Sequence, residues 1–208
     1  VSSKVQSIQQ GTITLTAATS NTATISSVTT TNSLCAFLGQ TCNQTSNNMD
    51  LSNARVELTN GTTVTATRVD ATGNLTIGYV VVEFASGVLN SSTEQFSVSI
   101  AAGSTTGTDT ITSITTAQTL LFYGGFSTSR GSPLGAAKPY VELTNSTTIT
   151  GTKSTTTANT DCIITGTVVE FKSSDIAGVD RGTITLASGT GTATIGAVNT
   201  AKSFVTDL

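Results

Sequence analysis

The sequence predicts an all-β protein: tandem antiparallel β-sandwiches, or small barrels, of about 85 residues each, followed by a partial third copy. Three observations lead there. The chain repeats itself, its composition favours strands, and its apolar residues alternate with a period of two. Thr24-Ile25-Ser26-Ser27-Val28 with Leu34 returns as Thr110-Ile111-Thr112-Ser113-Ile114 with Leu120, and again as Thr194-Ile195-Gly196-Ala197-Val198 with Phe204. Val56-Glu57-Leu58-Thr59-Asn60 returns as Val141-Glu142-Leu143-Thr144-Asn145, and Val81-Val82-Glu83-Phe84 as Val168-Val169-Glu170-Phe171. The 208 residues therefore divide into 1–88, 89–174 and a shorter 175–208.

Only 10% of residues are charged, against roughly 25% in ordinary globular proteins, and 46 are threonine. A branched Cβ packs well on a pleated surface and loses rotamer freedom in a helix, so this composition favours strands. The net charge of −3, with basic residues scattered singly, argues against a nucleic-acid partner, which needs clustered Lys and Arg to neutralise phosphates. No apolar stretch is long enough to insert in a membrane, and Val1–Gln10 lacks the charged-then-apolar order of a signal peptide.

In the first unit, Gly11 to Thr16 alternates apolar and polar and reads as a half-buried strand. Ala17 to Asn21 is a turn, Thr22 to Val28 a second strand and Ser33 to Leu38 a third. Polar residues after Gly39 make a loop of about a dozen residues, with room for a helical turn near Gly39 or, in the second unit, near Thr128. Asn60-Gly61 between two alternating runs signals a two-residue hairpin, because both residue types tolerate positive φ. Asn74 to Phe84 is apolar on both faces and belongs in the middle of a sheet. The second unit follows the same plan, with its long loop at Ser127 to Lys138. In the third, Gly182 to Phe204 supplies three strands that cannot bury themselves. They are expected to pack on the preceding unit, to pair with another chain, or to belong to a longer protein.

No constellation announces a reaction. The chain has no histidine, which removes the usual acid–base shuttle, and neither a phosphate-binding glycine motif nor a calcium-loop spacing is present. No catalytic residue, metal ligand or cofactor is assigned, and the protein is not expected to be an enzyme. Charged residues recur between copies: Glu57 and Glu142, Arg68 and Lys153, Glu83 and Glu170. A charge repeated in each copy reads as a cross-strand ion pair or a guard on a sheet edge. Cys35 and Cys42 are spaced to close a small disulfide loop. The alternative is that Cys35 and Cys162 act as small buried hydrophobes, since they align with Leu121 and Leu75. Asn43, Asn60, Asn74, Asn90 and Asn145 begin Asn-x-Ser/Thr triplets, which a chain this rich in those residues also produces by chance.

The phrases Ile8-Gln9-Gln10-Gly11-Thr12-Ile13-Thr14-Leu15, Asp180-Arg181-Gly182-Thr183-Ile184-Thr185-Leu186 and Ala193-Thr194-Ile195 with Val198 and Lys202-Ser203-Phe204 have a recognisable style. With Val56-Glu57-Leu58-Thr59-Asn60, Thr65-Ala66-Thr67-Arg68 and Val81-Val82-Glu83-Phe84, they resemble a β-rich module of uncharacterised tailed-bacteriophage virion proteins. The resemblance implies a non-enzymatic particle component such as a tail fibre, head fibre or capsid decoration protein. It implies a homo-oligomer, often a trimer, meeting other virion proteins and touching a host-surface glycan or protein through the loops Thr41–Ser52 and Ser127–Lys138. The competing expectation is a prokaryotic cell-surface adhesin, pilus or sheath subunit assembled by strand complementation.

Overall fold

The computed structural model describes residues 3–43, 48–129, 138–154, 161–186 and 189–205. It is an all-β architecture of antiparallel sheets. The first six strands are β1 (Val5–Thr16), β2 (Ser20–Thr24), β3 (Ser33–Cys42), β4 (Arg55–Asn60), β5 (Thr63–Thr67) and β6 (Asn74–Phe84). The next six are β7 (Glu94–Ile100), β8 (Thr106–Thr110), β9 (Thr119–Thr128), β10 (Pro139–Asn145), β11 (Thr148–Lys153) and β12 (Cys162–Glu170). The hydrogen-bonded orders are β1-β6-β3 against β2-β5-β4 in the first set, and β7-β12-β9 against β8-β11-β10 in the second. The sheets are open, so a sandwich rather than a closed barrel describes each set.

One core lies between the first pair of sheets, with Ile13 and Leu15 from β1, Val56 and Leu58 from β4, Val64 from β5 and Leu75, Ile77 and Val81 from β6. A second holds Phe96, Val98 and Ile100 with Leu121, Val141, Ile149 and Ile164. Alternate side chains of each strand enter these cores because successive Cβ atoms point to opposite faces of the pleat. The strand with two apolar faces, β6, is central, flanked by β1 and β3.

The turn chemistry departs from expectation. Asn60 ends β4, and the connecting residues are Gly61 and Thr62. Neither Asn60 nor Gly61 has positive φ. Asn60 acts instead through its side chain, whose Oδ1 accepts from Thr62 N–H at 2.9 Å, and Asn145 does the same for Thr147 at 2.8 Å. Ser146 occupies the place of Gly61, so the hairpin is set by the Asn side chain.

No helical turn forms at Gly39. That residue (φ +122°) lies inside β3 at a bulge opposite Gly78, and the α-helical turn is Met49–Ser52. Asn43 lies just beyond β3, while Pro133 and most of Ser127–Lys138 fall outside the described residues.

The third copy is the main correction. Among its described residues, 175–186 and 189–205, no strand forms, and Ile184, Leu186, Ile195, Val198 and Phe204 are exposed. Sheet order supplies the reason. Within each of the two complete sets the first and third strands pair with the sixth, and the second with the fifth. Among the described residues, nothing stands to residues 180–205 as β4, β5 and β6 stand to β1, β2 and β3.

Candidate functional site

The best-developed site among the described residues is the seam between the two sets. A sandwich of order β1-β6-β3 over β2-β5-β4 has β3 and β4 as the edge strands of one side. The outer face of β9 and β12 closes that side. β4 and β9 share a single antiparallel rung, Arg55 opposite Gly125, so β2-β5-β4-β9-β12-β7 reads as six strands. Two glycines allow this approach. A Cβ on Gly124 would stand 2.7 Å from the Val56 carbonyl oxygen, and one on Gly125, whose φ is +94°, would stand 2.5 Å from that of Ala54. Contacts that short exclude any side chain.

The rest of the seam is hydroxyl and amide groups meeting backbone. Thr165 Oγ1 donates to Val56 O at 3.3 Å, and Gln95 Nε2 to Leu58 O at 2.7 Å. Thr167 Oγ1 lies 3.4 Å from both the Cys35 N–H, from which it accepts, and the Cys35 carbonyl. Thr93 N–H donates to Thr31 O at 2.8 Å. These bonds supply partners for edge-strand groups that burial would otherwise strand. An apolar patch of Leu34, Phe84, Val88 and Val169, with Phe122 and Phe171, fills the remainder, and Phe84 meets Phe171 edge-on at 5.4 Å. Arg55 crosses the seam to Ser127 Oγ at 2.5 Å, and burial lowers its pKa, with nearby Glu57 opposing.

The charged residues singled out from the sequence do something other than pair with one another. Arg68, 2% exposed, offers its guanidinium to five carbonyls: Ala18, Leu51, Leu15, Ala71 and Gly73, at 2.6 to 3.5 Å. Lys153 is as deeply buried at the matching position and donates to Ala101 O at 3.3 Å. Glu83 Oε1 accepts Thr29 N–H at 2.8 Å, and Glu170 Oε1 accepts Thr115 N–H at 2.7 Å. Each carboxylate thus holds the backbone just before a 3-10 turn, Thr30–Asn32 or Thr116–Gln118. Burial pushes the Glu170 carboxyl up, but hydrogen bonds from Thr115, Ser91 and Asn90 outweigh it and hold the group below the usual range. Glu57 and Glu142 lie opposite Thr65 and Thr150, away from Arg68 and Lys153. Among the described residues the ion pair is Lys4 with Asp175, at 2.9 Å.

The Cys35–Cys42 disulfide does not form. Both thiols are free and sit seven residues apart on one extended strand, about 20 Å in reach, where a disulfide needs Cα atoms within about 7 Å. Burial raises the Cys35 and Cys162 thiols to about 12, so neither is a nucleophile near neutrality.

At one end of the seam a groove of about 360 Å³ is lined by Phe37, Gln40, Asn53, Tyr123, Phe126 and Lys138. These residues stand at the bases of the two long loops, so the loops anticipated as contact surfaces spring from one place. No protein-family model matches the chain, and no curated protein or solved structure shows significant similarity to it. Among the described residues no three Cys, Asp or Glu side chains converge as metal ligands. What the seam can do is join β-units side to face.

The seam was missed at the sequence level, though a signal existed. Gly124, Thr165 and Thr167 stand where the first unit has Leu38, Gly78 and Val80. Gly124, Thr165 and Thr167, three positions at which the copies differ, lie on the surface where the second unit receives the first.

Proposed function

We propose that this protein is a non-enzymatic structural component of a bacteriophage particle, of fibre or decoration type, whose β-units add by closing one another's open sides. The observation that carries the reading is the seam: Gly124 and Gly125 admit a neighbouring backbone, and Thr165, Thr167 and Gln95 satisfy it. Such an interface consumes surface to make length and rigidity, which suits a spacer or fibre. The absence of histidine and the raised Cys35 and Cys162 thiols argue in the same direction. Host contact, in this reading, is made at the groove beside Phe37, Tyr123 and Phe126 and by the loops Thr41–Ser52 and Ser127–Lys138.

A second reading is a prokaryotic surface adhesin or sheath subunit completed by strand exchange, favoured by the exposed apolar side chains of residues 184–204. Antibody labelling of density-separated particles and cell envelopes from the source culture decides. Label on particles supports the first reading and label on envelopes the second. A freely soluble protein with hydrolytic turnover overturns both.

A further inference from the structure

The third copy, though strandless, keeps local features of the complete ones. Its 3-10 turn Thr200–Lys202 matches Thr30–Asn32 and Thr116–Gln118. Ser203 Oγ donates to Asn199 O at 2.9 Å, as Ser33 does to Thr29 O at 2.8 Å and Thr119 to Thr115 O at 2.9 Å. Gly191 lies against the Thr185 carbonyl, where a Cβ would come within 2.4 Å, just as Gly107 lies against Ser99 at 2.1 Å. Arg181 anchors the segment by donating to the carbonyls of Thr116, at 2.6 Å, and Thr119.

What is missing is the cover. Ile184, Leu186, Ile195, Val198 and Phe204 are 46 to 69% exposed, whereas their counterparts Ile13, Leu15, Ile25, Val28 and Leu34 are at most 8% exposed. The Asn199 N–H matches the N–H groups of Thr29 and Thr115, which Glu83 and Glu170 accept, and has no acceptor among the described residues.

We infer that residues 180–186 and 189–205 are a docking half-sandwich for a segment with the chemistry of residues 53–84: a strand, an Asn-turn hairpin strand and a final Val-Val-Glu strand. The occupant is set by what covers the same positions twice in this chain. The Val-Val-Glu strand enters between the stretches around Ile184 and Phe204, its alternate side chains cover Ile184 and Leu186, and its glutamate accepts the Asn199 N–H. The hairpin covers Ile195 and Val198 from the other side, as β5 covers Ala23 and Ile25.

The test uses the 208-residue protein and a synthetic polypeptide of residues 53–84, read by amide hydrogen exchange. Protection of the Ile184, Ile195 and Asn199 amides is expected to rise at least tenfold, and a peptide with Glu83→Gln to bind about tenfold more weakly. Since the free peptide can aggregate, a second protein carries residues 36–84 directly after Val205, and the same amides are expected to be protected there. Ile184→Asp with Leu186→Asp, at exposed positions, should abolish both effects and leave exchange in residues 5–170 unchanged. Tail amides that exchange equally fast with either complement overturn the proposal. So does a dimer of the unmodified protein, seen by sedimentation, whose tail is already protected, because the occupant would then be a second tail.

Discussion

Arg55 on β4 stands directly opposite Gly125 on β9, and this one rung turns two three-stranded sheets into a sheet of six. The rung exists because the receiving strand is bare at two successive positions. The first unit shows the opposite state: Leu38, at the place of Gly124, is 58% exposed and stands over the bulge of β3. A backbone could not approach there as β4 approaches β9, so the first unit's outer face is closed to the same kind of docking.

Gly124→Leu therefore installs in the second unit the residue that blocks the first. With Val56 O and Thr165 O each within 3 Å of the new Cβ, the seam must open or the strands must shift. Overpacking of this kind costs about 1–3 kcal/mol, and the positive φ of Gly125 makes Gly125→Ala similarly costly. Calorimetry is expected to show a lower Tm for both, and for Gly124→Leu a transition split in two as the units lose their shared closure. A single unshifted transition would refute the seam's role.

Much of this fold was legible in the residues. The alternation of Ile13 and Leu15, the two-faced apolar run of Asn74–Phe84 and the matched Val-Glu-Leu-Thr-Asn hairpins each name a strand because local pattern and final burial agree. Pairing order was not legible: β1 and β3 meet only through β6, more than 30 residues downstream, and no local signal carries that. The same gap applies to residues 182–204, which have the strand pattern yet meet no pairing strand among the described residues. The recurrence of Arg68 and Glu83 suggests a cross-strand ion pair or a guard on a sheet edge, and sequence cannot show that five carbonyls converge on one guanidinium.

Arg68→Met removes the donor and leaves the Ala18, Leu51, Ala71 and Gly73 carbonyls facing an apolar chain. An unsatisfied buried carbonyl costs about 1–3 kcal/mol, so urea unfolding should show an unfolding free energy lowered by several kcal/mol and an earlier midpoint. Arg68→Lys should recover part of it, because the second unit holds the equivalent loops with Lys153. Equal loss for Met and Lys would mean that the fork geometry, and not the charge, is what matters.

The three thiols should separate by environment. Cys42 is partly exposed, whereas Cys35 and Cys162 are buried, so a thiol reagent under native conditions is expected to label Cys42 first and the other two only on unfolding. The raised pKa of Cys35 and Cys162 sets a direction with pH. The folded state keeps these thiols protonated while the unfolded chain ionises near 9, so stability is full below about pH 9 and declines toward pH 12. The double variant Cys35→Ala, Cys162→Ala should flatten that decline in alkaline chemical denaturation.

Glu170 gives the opposite slope. Its carboxylate accepts Thr115 N–H at 2.7 Å, and its hydrogen bonds hold the folded pKa below the unfolded value of about 4.3. A depressed carboxyl stabilises the fold above its unfolded pKa and loses that contribution as pH falls through the folded one. Glu170→Gln keeps the shape but replaces a charged acceptor by a neutral amide, a loss of about 1.5–3 kcal/mol at pH 7. Denaturation between pH 7 and 3 should therefore show the wild type and Glu170→Gln far apart at neutrality and converging in acid. Parallel curves would mean that Glu170 holds the Thr116–Gln118 turn by shape and not by charge.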